Sequence, residues 1–334
     1  MKIEIRPEQW TLRRPFHITG HVFTALDVIV VTLRDGPFAG RGEAASVFLW
    51  NSTVTSMTAE IEAVRKEIEA GISRETLRNV LPAGGARNAV DCALWDLEAK
   101  RTGSAAWRLA GLQTPRPLLT TYTLGVNSPE KMAQGARDFA GARALKLKLN
   151  GDGADAERVR AVRAVRPDVW LGVDANQGFT LDGLQGLLPV FVEACVQVVE
   201  QPLPIGQEEQ LEGLRSPIPL AADESVRTVA DLSALVGRFD MINIKLDKCG
   251  GLTEGLLMAG EARRLGFKLM VGNMFGTSLA MAPAFVLGQL CEVVDLDGPI
   301  EFVRDRVPSA SYENGRIWCA PQIWGAPEQS AASA

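Results

Sequence analysis

Hydrophobic and polar residues alternate in short runs over most of the chain, which is the two-residue period of β-strands. The clearest run is Leu145-Lys-Leu-Lys-Leu149, whose two lysines share one face and whose leucines share the other. After Pro115-Arg-Pro117 the runs predict eight strands, at 118–124, 144–149, 169–176, 196–201, 218–224, 241–246, 267–272 and 293–297. Helix-length segments separate these strands, so the pattern predicts a parallel (β/α)8-type barrel. An open doubly wound sheet is the alternative, but the turn at Gly125 lacks the glycine-rich sequence typical of that fold.

The first 115 residues are ordered differently. Strands are predicted at 2–10, 27–33 and 38–43, and helices at 52–70, 73–80 and 87–101. Two segments among these elements, 13–24 and 44–51, show no clear period. Strands followed by helices indicate an α+β domain beside the barrel. We therefore expect a capping domain over 1–115, the barrel over 116–310, a return to the capping domain over 311–325 and a flexible tail over 326–334.

The composition is that of an ordinary globular protein, with 46% hydrophobic and 22% charged residues among 334. A net charge of −5 without a Lys/Arg cluster argues against a nucleic-acid partner. Five scattered cysteines without a C-x-x-C pair suit a reducing compartment and neither a disulfide framework nor a zinc site. No apolar run reaches the ~18 residues of a membrane span, and the N-terminus does not read as a signal peptide. We expect a cytoplasmic homo-oligomer with no membrane partner.

Acidic residues close three successive strands of the predicted barrel. Asp174, Glu200 and Asp223 are 26 and 23 residues apart, each close to one strand-plus-helix unit. The carboxyl ends of barrel strands meet at one rim, where active sites lie. One such acid alone would be interpreted as a helix cap or a solvated loop residue. Three together require a cation, and carboxylate oxygens with room for water favour Mg²⁺.

Two lysines accompany these acids. Lys148 on the second strand and Lys245 on the sixth are four strands apart in an eight-strand ring, so we expect them to face each other across the cavity. A lysine that is desolvated or near other cations has a lowered pKa and can remove a proton. Lys146 and Lys148 alone would also suit a solvated edge strand, but Lys245 inside a barrel needs a partner. Lys248 precedes the turn at Cys249-Gly-Gly251, so we assign it a supporting role.

These residues resemble the enolase superfamily, and within it the dipeptide epimerases of the muconate lactonising enzyme subgroup. The resemblance covers nearly the whole chain. Its motifs are Lys146-Leu-Lys148, Asp174-Ala-Asn176, Glu200-Gln-Pro202, Asp223-Glu-Ser225, Asn243-Ile-Lys245-Leu-Asp-Lys248 and Asp295-Leu-Asp297.

The resemblance implies a role for each site residue. Asp174, Glu200 and Asp223 would bind one Mg²⁺ per subunit, with Lys148 and Lys245 as the two bases. Lys146 would lie beside the substrate carboxylate and lower the pKa of Lys148. The other implied roles are binding of a dipeptide's free α-ammonium, by Asp295 and Asp297, and support of the metal site, by Asn176, Glu224 and Lys248.

The implied reaction is a 1,1-proton transfer at the α-carbon of the C-terminal residue of a dipeptide, through an enediolate. A muconate-type cycloisomerase or o-succinylbenzoate synthase is an alternative, although substrates of these enzymes carry no ammonium group for Asp295 and Asp297. An alternative from another class is a non-catalytic barrel that acts as a binding or scaffold protein.

Specificity is expected from the two aperiodic segments. Gly20 lies where the epimerases that act on L-Ala-D/L-Glu are expected to carry an arginine for the side-chain carboxylate. The other candidate specificity residues are His21, Phe23, Phe48 and Trp50. We therefore expect a dipeptide with an apolar C-terminal residue, because a buried carboxylate without a partner is unfavourable. The alternative is an L-Ala-D/L-Glu epimerase of murein peptide recycling, in which Arg13, Arg14 or His21 replaces the missing arginine.

Overall fold

The N-terminal part of the chain is an antiparallel sheet covered on one face by helices. The computed structural model describes residues 1–18, 21–47, 50 and 52–327, without the side chains of residues 17, 18 and 21. The sheet has the order β1-β2-β3, and its strands are β1 (Lys2–Ile18), β2 (His21–Asp35) and β3 (Phe38–Ala45). The helices are α1 (Val54–Ala63), α2 (Arg65–Glu69), α3 (Arg74–Val80), α4 (Gly85–Thr102) and α5 (Ala106–Leu109).

Helix α4 covers the sheet because alternate residues of β2 point toward it. Ile29, Val31 and Leu33 are buried in one cluster with Ala89 and Ala93 of the helix. The hairpin of β1 and β2 is longer than the sequence predicts, since both strands continue into the segment 13–24. The pairing shifts in register between Thr11 and Phe16, which breaks the alternation on which a strand prediction depends.

The second part of the chain is a curled parallel sheet. Among the described residues it has eight strands, which follow one another in the sheet in the order of the sequence. After β4 (Leu118–Leu119), the strands of this sheet are β5 (Tyr122–Leu124), β6 (Ala144–Lys148), β7 (Trp170–Asp174), β8 (Val196–Glu200), β9 (Leu220–Ala222), β10 (Met241–Ile244), β11 (Lys268–Val271) and β12 (Val293–Val294). The amide of Thr121 donates to the carbonyl of Val294 at 3.0 Å, which brings the two edge strands together. This modified (β/α)8 barrel with an N-terminal α+β domain confirms the predicted fold class.

Most of the connections are helical, as predicted. They are α6 (Pro129–Asp138), α7 (Asp155–Val165), α8 (Leu181–Glu193), α9 (Leu246–Cys249), α10 (Leu252–Arg264) and α11 (Ser278–Gly288). The two connections on either side of β9 contain 3₁₀ turns instead, at Glu208–Leu211 and Val229–Leu235. Leu246 was predicted to end a strand but begins α9, since Lys245 is already the cap residue of that helix.

The last described segment returns toward the N-terminal domain. Strands β13 (Ser311–Glu313) and β14 (Arg316–Trp318) form a small antiparallel sheet with β4. The indole of Trp324 then donates to the carbonyls of Arg41 and Cys92, both at 3.0 Å. No helix in the described part of the chain is long and apolar enough to cross a membrane.

Candidate active site

The charged residues of the barrel lie on a layer of apolar side chains that fills its interior. That layer contains Val198, Ala221, Met241 and Met270, all buried in one cluster. The two-residue period of a strand places the next inward-facing residue above each of them. Glu200, Asp223, Asn243 and Gly272 occupy those positions. The apolar layer therefore fixes the height of the site at the carboxyl ends of the strands.

Three carboxylates converge at this height. Register pairs Lys148 of β6 with Asp174 of β7, and Asp174 with Glu200 of β8. Asp174, Glu200 and Asp223 are buried, and each offers a carboxylate oxygen within 4.8 Å of those of the other two. Three hard oxygen ligands with this spacing fit Mg²⁺, which takes carboxylates and keeps several waters.

The electrostatics of the three carboxylates are unequal. Burial, together with the negative charge of Asp174, raises the pKa of Glu200 to about 8. Burial acts in the same direction on Asp223, but the ammonium groups of Lys245 and Lys248 outweigh it and hold the pKa of that carboxyl well below its ordinary value. The ionised form is therefore less well stabilised at Glu200 than at Asp223, and a cation bound at the cluster would favour ionisation of Glu200.

Each predicted base contacts one of these carboxylates. The Nζ of Lys148 is 2.5 Å from Asp174 Oδ2, and the Nζ of Lys245 is 2.5 Å from Asp223 Oδ2. Burial lowers the pKa of Lys245, but Asp223 and Glu200 outweigh this effect and raise it. The side chain of Lys245 fits because Gly272 has no Cβ, and an added Cβ would lie 2.8 Å from the lysine Cε.

Lys146 makes a contact that the sequence did not predict. Its ammonium group donates to Asp295 Oδ2 and to Glu200 Oε2, the latter at 3.2 Å. Burial opposes the charge, but Asp295, Glu200 and Asp174 raise the pKa of Lys146 well above its ordinary value. The ammonium group thus lies between the carboxylate cluster and Asp295, which follows β12.

Asp295 and Asp297 lie beside the start of the first barrel strand. The hydroxyl of Thr121 donates to Asp295 at 2.5 Å, and the amide of Thr123 donates to Asp297 at 2.7 Å. Burial and Asp295 raise the pKa of Asp297 to about 7, whereas Lys146 outweighs burial at Asp295 and lowers its pKa. Asp295 therefore already has a cationic partner, and Asp297 has only neutral donors among the described residues.

The residues predicted to support the metal site are also in contact with it or line the cavity. Lys248 donates to Asp223 Oδ1 at 2.6 Å and to the carbonyl of Asn243 at 3.1 Å. The backbone amide of Asn176 donates to Asp174 at 2.8 Å, and its side-chain amide donates to Glu224 at 3.2 Å. Asn243 itself was not predicted as a site residue, yet its side chain donates to Glu200 at 2.6 Å. Its position two residues before Lys245 on the same strand face is the signal that would have identified it.

The mouth of the cavity is apolar where the N-terminal domain covers it. The ring centroids of Phe16 and Phe23 lie 4.9 and 6.0 Å from the ring centroid of Phe275, a residue that follows β11. Trp50 lies on the same cavity. The other apolar lining residues are Leu26, Val47 and Met274. Two predicted specificity residues, Gly20 and Phe48, lie outside the described residues, as does the side chain of His21.

The two arginines proposed as substitutes for a carboxylate-binding arginine are engaged elsewhere. The Nε of Arg13 donates to the carbonyl of Ile300 at 3.2 Å. The Nε of Arg14 lies 3.6 Å from Glu301, and its guanidinium lies over the ring of Phe139. Both side chains connect the hairpin to the 3₁₀ turn Gly298–Glu301, which follows β12. Neither of them lines the cavity.

Comparison with known proteins agrees with the resemblance inferred from the motifs. Residues 130–310 match the family profile described as "Enolase C-terminal domain-like", and residues 1–111 match "Mandelate racemase / muconate lactonizing enzyme, N-terminal domain". The chain therefore belongs to the mandelate racemase / muconate lactonizing enzyme family of the enolase superfamily. Among curated relatives, the L-Ala-D/L-Glu epimerase of Escherichia coli (strain K12) is 39% identical, over 94% of this chain and 98% of the relative. The hydrophobic dipeptide epimerase of Roseobacter litoralis is 34% identical, over 94% of this chain and 95% of the relative.

Solved structures agree with this relationship. An enolase family member from Agrobacterium tumefaciens, described as having homology to dipeptide epimerases and solved with sodium and L-Ala-L-Glu, is 42% identical. It superimposes with a TM-score of 0.94, and the match covers 97% of this chain and 99% of that one. The dipeptide epimerase of Methylococcus capsulatus, solved with Mg and L-Arg-D-Lys, is 31% identical with a TM-score of 0.88, over 96% and 98% of the two chains. The resemblance to dipeptide epimerases is confirmed.

Proposed function

We propose that this protein is a Mg²⁺-dependent dipeptide epimerase, an isomerase that inverts the α-carbon of a C-terminal residue with an apolar side chain. The observation that carries this proposal is the pairing of Lys148 and Lys245 with two different carboxylates of one buried cluster. Strand order supports the opposition of the two lysines, because β6 and β10 are four strands apart in the sheet.

The two lysines would divide the proton transfer between the two faces of the substrate. One removes the α-proton from its side, and the other delivers a proton to the opposite face, which inverts the centre. Mg²⁺ held by Asp174, Glu200 and Asp223 would supply Lewis-acid stabilisation of the charge that develops on the substrate carboxylate. The site residues would orient the substrate so that its α-carbon lies between the Nζ atoms of Lys148 and Lys245.

Lys146 and the aspartates of the last strand would fix the two ends of the dipeptide. Lys146 stays protonated, because three carboxylates raise its pKa, so it stabilises negative charge on the substrate rather than acting as a base. Asp297 is buried, and its hydrogen-bond donors among the described residues are neutral, which leaves it suited to accept the free α-ammonium of the first residue. Asp295 would accept hydrogen bonds both from that ammonium group and from Lys146.

The C-terminal side chain would lie against the apolar mouth of the cavity. Phe16, Phe23, Trp50 and Phe275 supply aromatic surface there, while Arg13 and Arg14 contact the turn that follows β12. A glutamate side chain would therefore bury its charge without a described partner, at a cost of a few kcal/mol. We propose hydrophobic dipeptides as substrates and keep L-Ala-D/L-Glu as the second candidate, because the Escherichia coli relative carries that name.

A panel of L-Ala-L-Xaa dipeptides incubated in D₂O with Mg²⁺ tests the assignment. Mass spectrometry of α-deuteration and chiral separation of the products measure exchange and inversion in one experiment. We expect the fastest turnover with Leu, Phe or Met at the C-terminal position. Fastest turnover with Glu would contradict the apolar pocket, and the absence of exchange with every dipeptide would contradict the epimerase function itself.

The cycloisomerase and synthase alternatives differ in their need for an ammonium-binding pair. Replacement of Asp295 and Asp297 together by Asn should abolish activity on free dipeptides, because the ammonium group would then enter a neutral site. N-acetylated dipeptides serve as the control, since their loss of activity should be much smaller. Equal losses with both substrate sets would argue against an ammonium-binding role.

We propose the division of the chain at residues 115, 310 and 325 as a working description of its domains. The homo-oligomeric state and the cytoplasmic location remain predictions.

A further inference from the structure

Trp50 borders the cavity and lies in sequence between Val47 and Ser52. Val47 and Ser52 are joined by two backbone hydrogen bonds of 2.8 and 3.1 Å. The amide of Trp50 donates to the carbonyl of Val47 at 3.3 Å, which turns the residue back toward the cavity that its side chain lines. Trp50 therefore forms part of the pocket wall.

A cation lies directly behind this wall. The guanidinium carbon of Arg227 is 5.0 Å from the centre of the Trp50 ring, within the range of a cation–π interaction. Arg227 follows Asp223 by four residues, and its own amide donates to Asp231 at 2.9 Å. Its Nη2 also donates to the carbonyl of Ala83, which precedes α4, at 3.4 Å. The side chain thus bridges the barrel rim, the N-terminal domain and the indole.

Arg227 retains unused hydrogen-bonding capacity in this position. Its Nε is buried and has no hydrogen-bond partner in the described part of the chain. A buried donor without a partner is unfavourable, so its persistence calls for a compensating contact or a function. Arg227 does not itself line the cavity, whereas the Trp50 ring that it contacts does. Among the described residues, its positive charge has no carboxylate partner, and it lies against an aromatic ring of the pocket wall.

We propose that Arg227 is a positioning residue that holds Trp50 across the pocket wall, and that Trp50 screens the guanidinium from the substrate side chain. This proposal rests on the dipeptide epimerase function proposed above. With the indole in place, the pocket presents an apolar surface and favours apolar C-terminal residues. Without the indole, Arg227 becomes the next side chain behind the wall, and its Nε–H can pair with a carboxylate. Trp50 would then determine which of the two substrate classes the pocket accepts.

Substitutions at the two positions separate the two parts of the proposal. Trp50→Ala should raise the ratio of kcat/KM for L-Ala-L-Glu to that for L-Ala-L-Leu by roughly ten-fold. The double variant Trp50→Ala/Arg227→Gln should lose this gain, because the carboxylate then has no cation. Arg227→Gln alone should raise KM for L-Ala-L-Leu by about five-fold with little change in kcat, and Arg227→Lys should restore most of the loss. An equal gain for L-Ala-L-Glu with and without Arg227 would overturn the screening role.

Arg74 provides a matched control. Its guanidinium carbon lies 3.5 Å from the centre of the Trp95 ring, in the N-terminal domain and away from the cavity. Arg74→Gln removes the same type of contact and should leave both dipeptide activities and their ratio unchanged. A loss of L-Ala-L-Leu affinity in Arg74→Gln as large as that in Arg227→Gln would show that the effect is one of general stability.

The position of Trp50 can be measured without catalysis. Acrylamide quenching of the fluorescence that Trp50 contributes is obtained by comparing each protein with its Trp50→Phe counterpart. Quenching of this contribution should increase in Arg227→Gln but not in Arg74→Gln. If the wild-type protein exchanges no dipeptide α-proton, the proposed function fails, and the quenching result alone then decides the Arg227–Trp50 contact. Unchanged quenching in Arg227→Gln would overturn the positioning role.

Discussion

The two predicted bases share their partners with the predicted metal. Lys148 contacts Asp174, and Lys245 contacts Asp223, each at 2.5 Å. A metal cation bound at the carboxylate cluster would compete with the lysines for the same oxygens. Its positive charge would repel both ammonium groups and so favour the neutral form of each lysine. Metal binding would therefore promote deprotonation of the two lysines through the carboxylates of Asp174 and Asp223.

The opposition of the lysines leads to a prediction about single substitutions. Lys245→Ala should reduce epimerisation by about 10²–10⁴-fold, because no group remains to serve one face of the substrate. Lys148 would still remove the proton from its own face, so one of the two diastereomers should continue to exchange its α-hydrogen in D₂O without inversion. The measurement is α-deuteration of the L,L and L,D dipeptides supplied separately.

The reciprocal variant is the control for this experiment. Lys148→Ala should retain exchange of the opposite diastereomer. If both variants keep the same diastereomer, the lysines serve one face, and the two-base assignment is wrong.

At the level of elements, the wall of the pocket depends on how closely β3 approaches α4. The glycines of β3 allow this approach, since a Cβ on Gly40 would lie 2.2 Å from the carbonyl oxygen of Ala93 and 2.3 Å from the amide nitrogen of Leu97. The strand ends at Ala45, and the next two residues, Ser46 and Val47, line the cavity. The distance between a strand and a helix thus sets where one side of the pocket lies.

Gly40→Ala is therefore expected to be strongly destabilising. The new methyl group would clash with backbone atoms of α4, which cannot move as a side chain could, so we expect a loss of about 3 kcal/mol in the free energy of unfolding. Urea denaturation followed by circular dichroism measures it. Gly260→Ala in α10 is the matched control, because its added methyl meets no atom within 4 Å and should stabilise the helix by about 0.5–1 kcal/mol. Similar stabilities of the two variants would refute the close-approach argument.

Considered as a whole, the molecule joins its N-terminal domain to the barrel through buried polar groups. Arg306 donates to Glu43 of β3 and to Glu8 of β1. Asp247 of α9 accepts from the amide of Ala45 at 3.0 Å and from the side chain of Asn88 at 3.1 Å. Both contacts hold the end of β3 against the barrel, so the junction and the pocket wall are connected.

Asp247 should make the stability of this junction dependent on pH. Burial raises its pKa from 3.8 to about 7, so the folded state binds a proton that the unfolded state releases at lower pH. The stabilisation is complete below about pH 4 and is lost as the pH rises toward 7, with an upper bound of about 4 kcal/mol. Urea denaturation between these pH values should show a smaller decline of stability for Asp247→Asn than for the wild type. Parallel pH profiles of the two proteins would contradict the raised pKa.

The barrel and its charged residues were predictable because most of its strands repeat one pattern, an apolar run that closes on a charged residue. The extension of the β1–β2 hairpin into the segment 13–24 was not predictable, since the register shift between Thr11 and Phe16 removes the alternation that would have identified it. The contact of Lys146 with Asp295 joins residues 149 positions apart, and no local pattern specifies such a pair. The Arg227–Trp50 contact has the same origin, because it depends on how the two domains pack.

The bond between Thr121 and Val294, where the edges of the barrel sheet meet, has a consequence for folding. Thr121 also donates to Asp295, across 174 positions in sequence, and contacts between such distant segments form late. The proposed ammonium-binding site is therefore built only when the ends of the sheet join. An incompletely folded chain would carry most of the metal ligands and both lysines but could not recognise a dipeptide, so retention on an immobilised dipeptide would report completion of the fold.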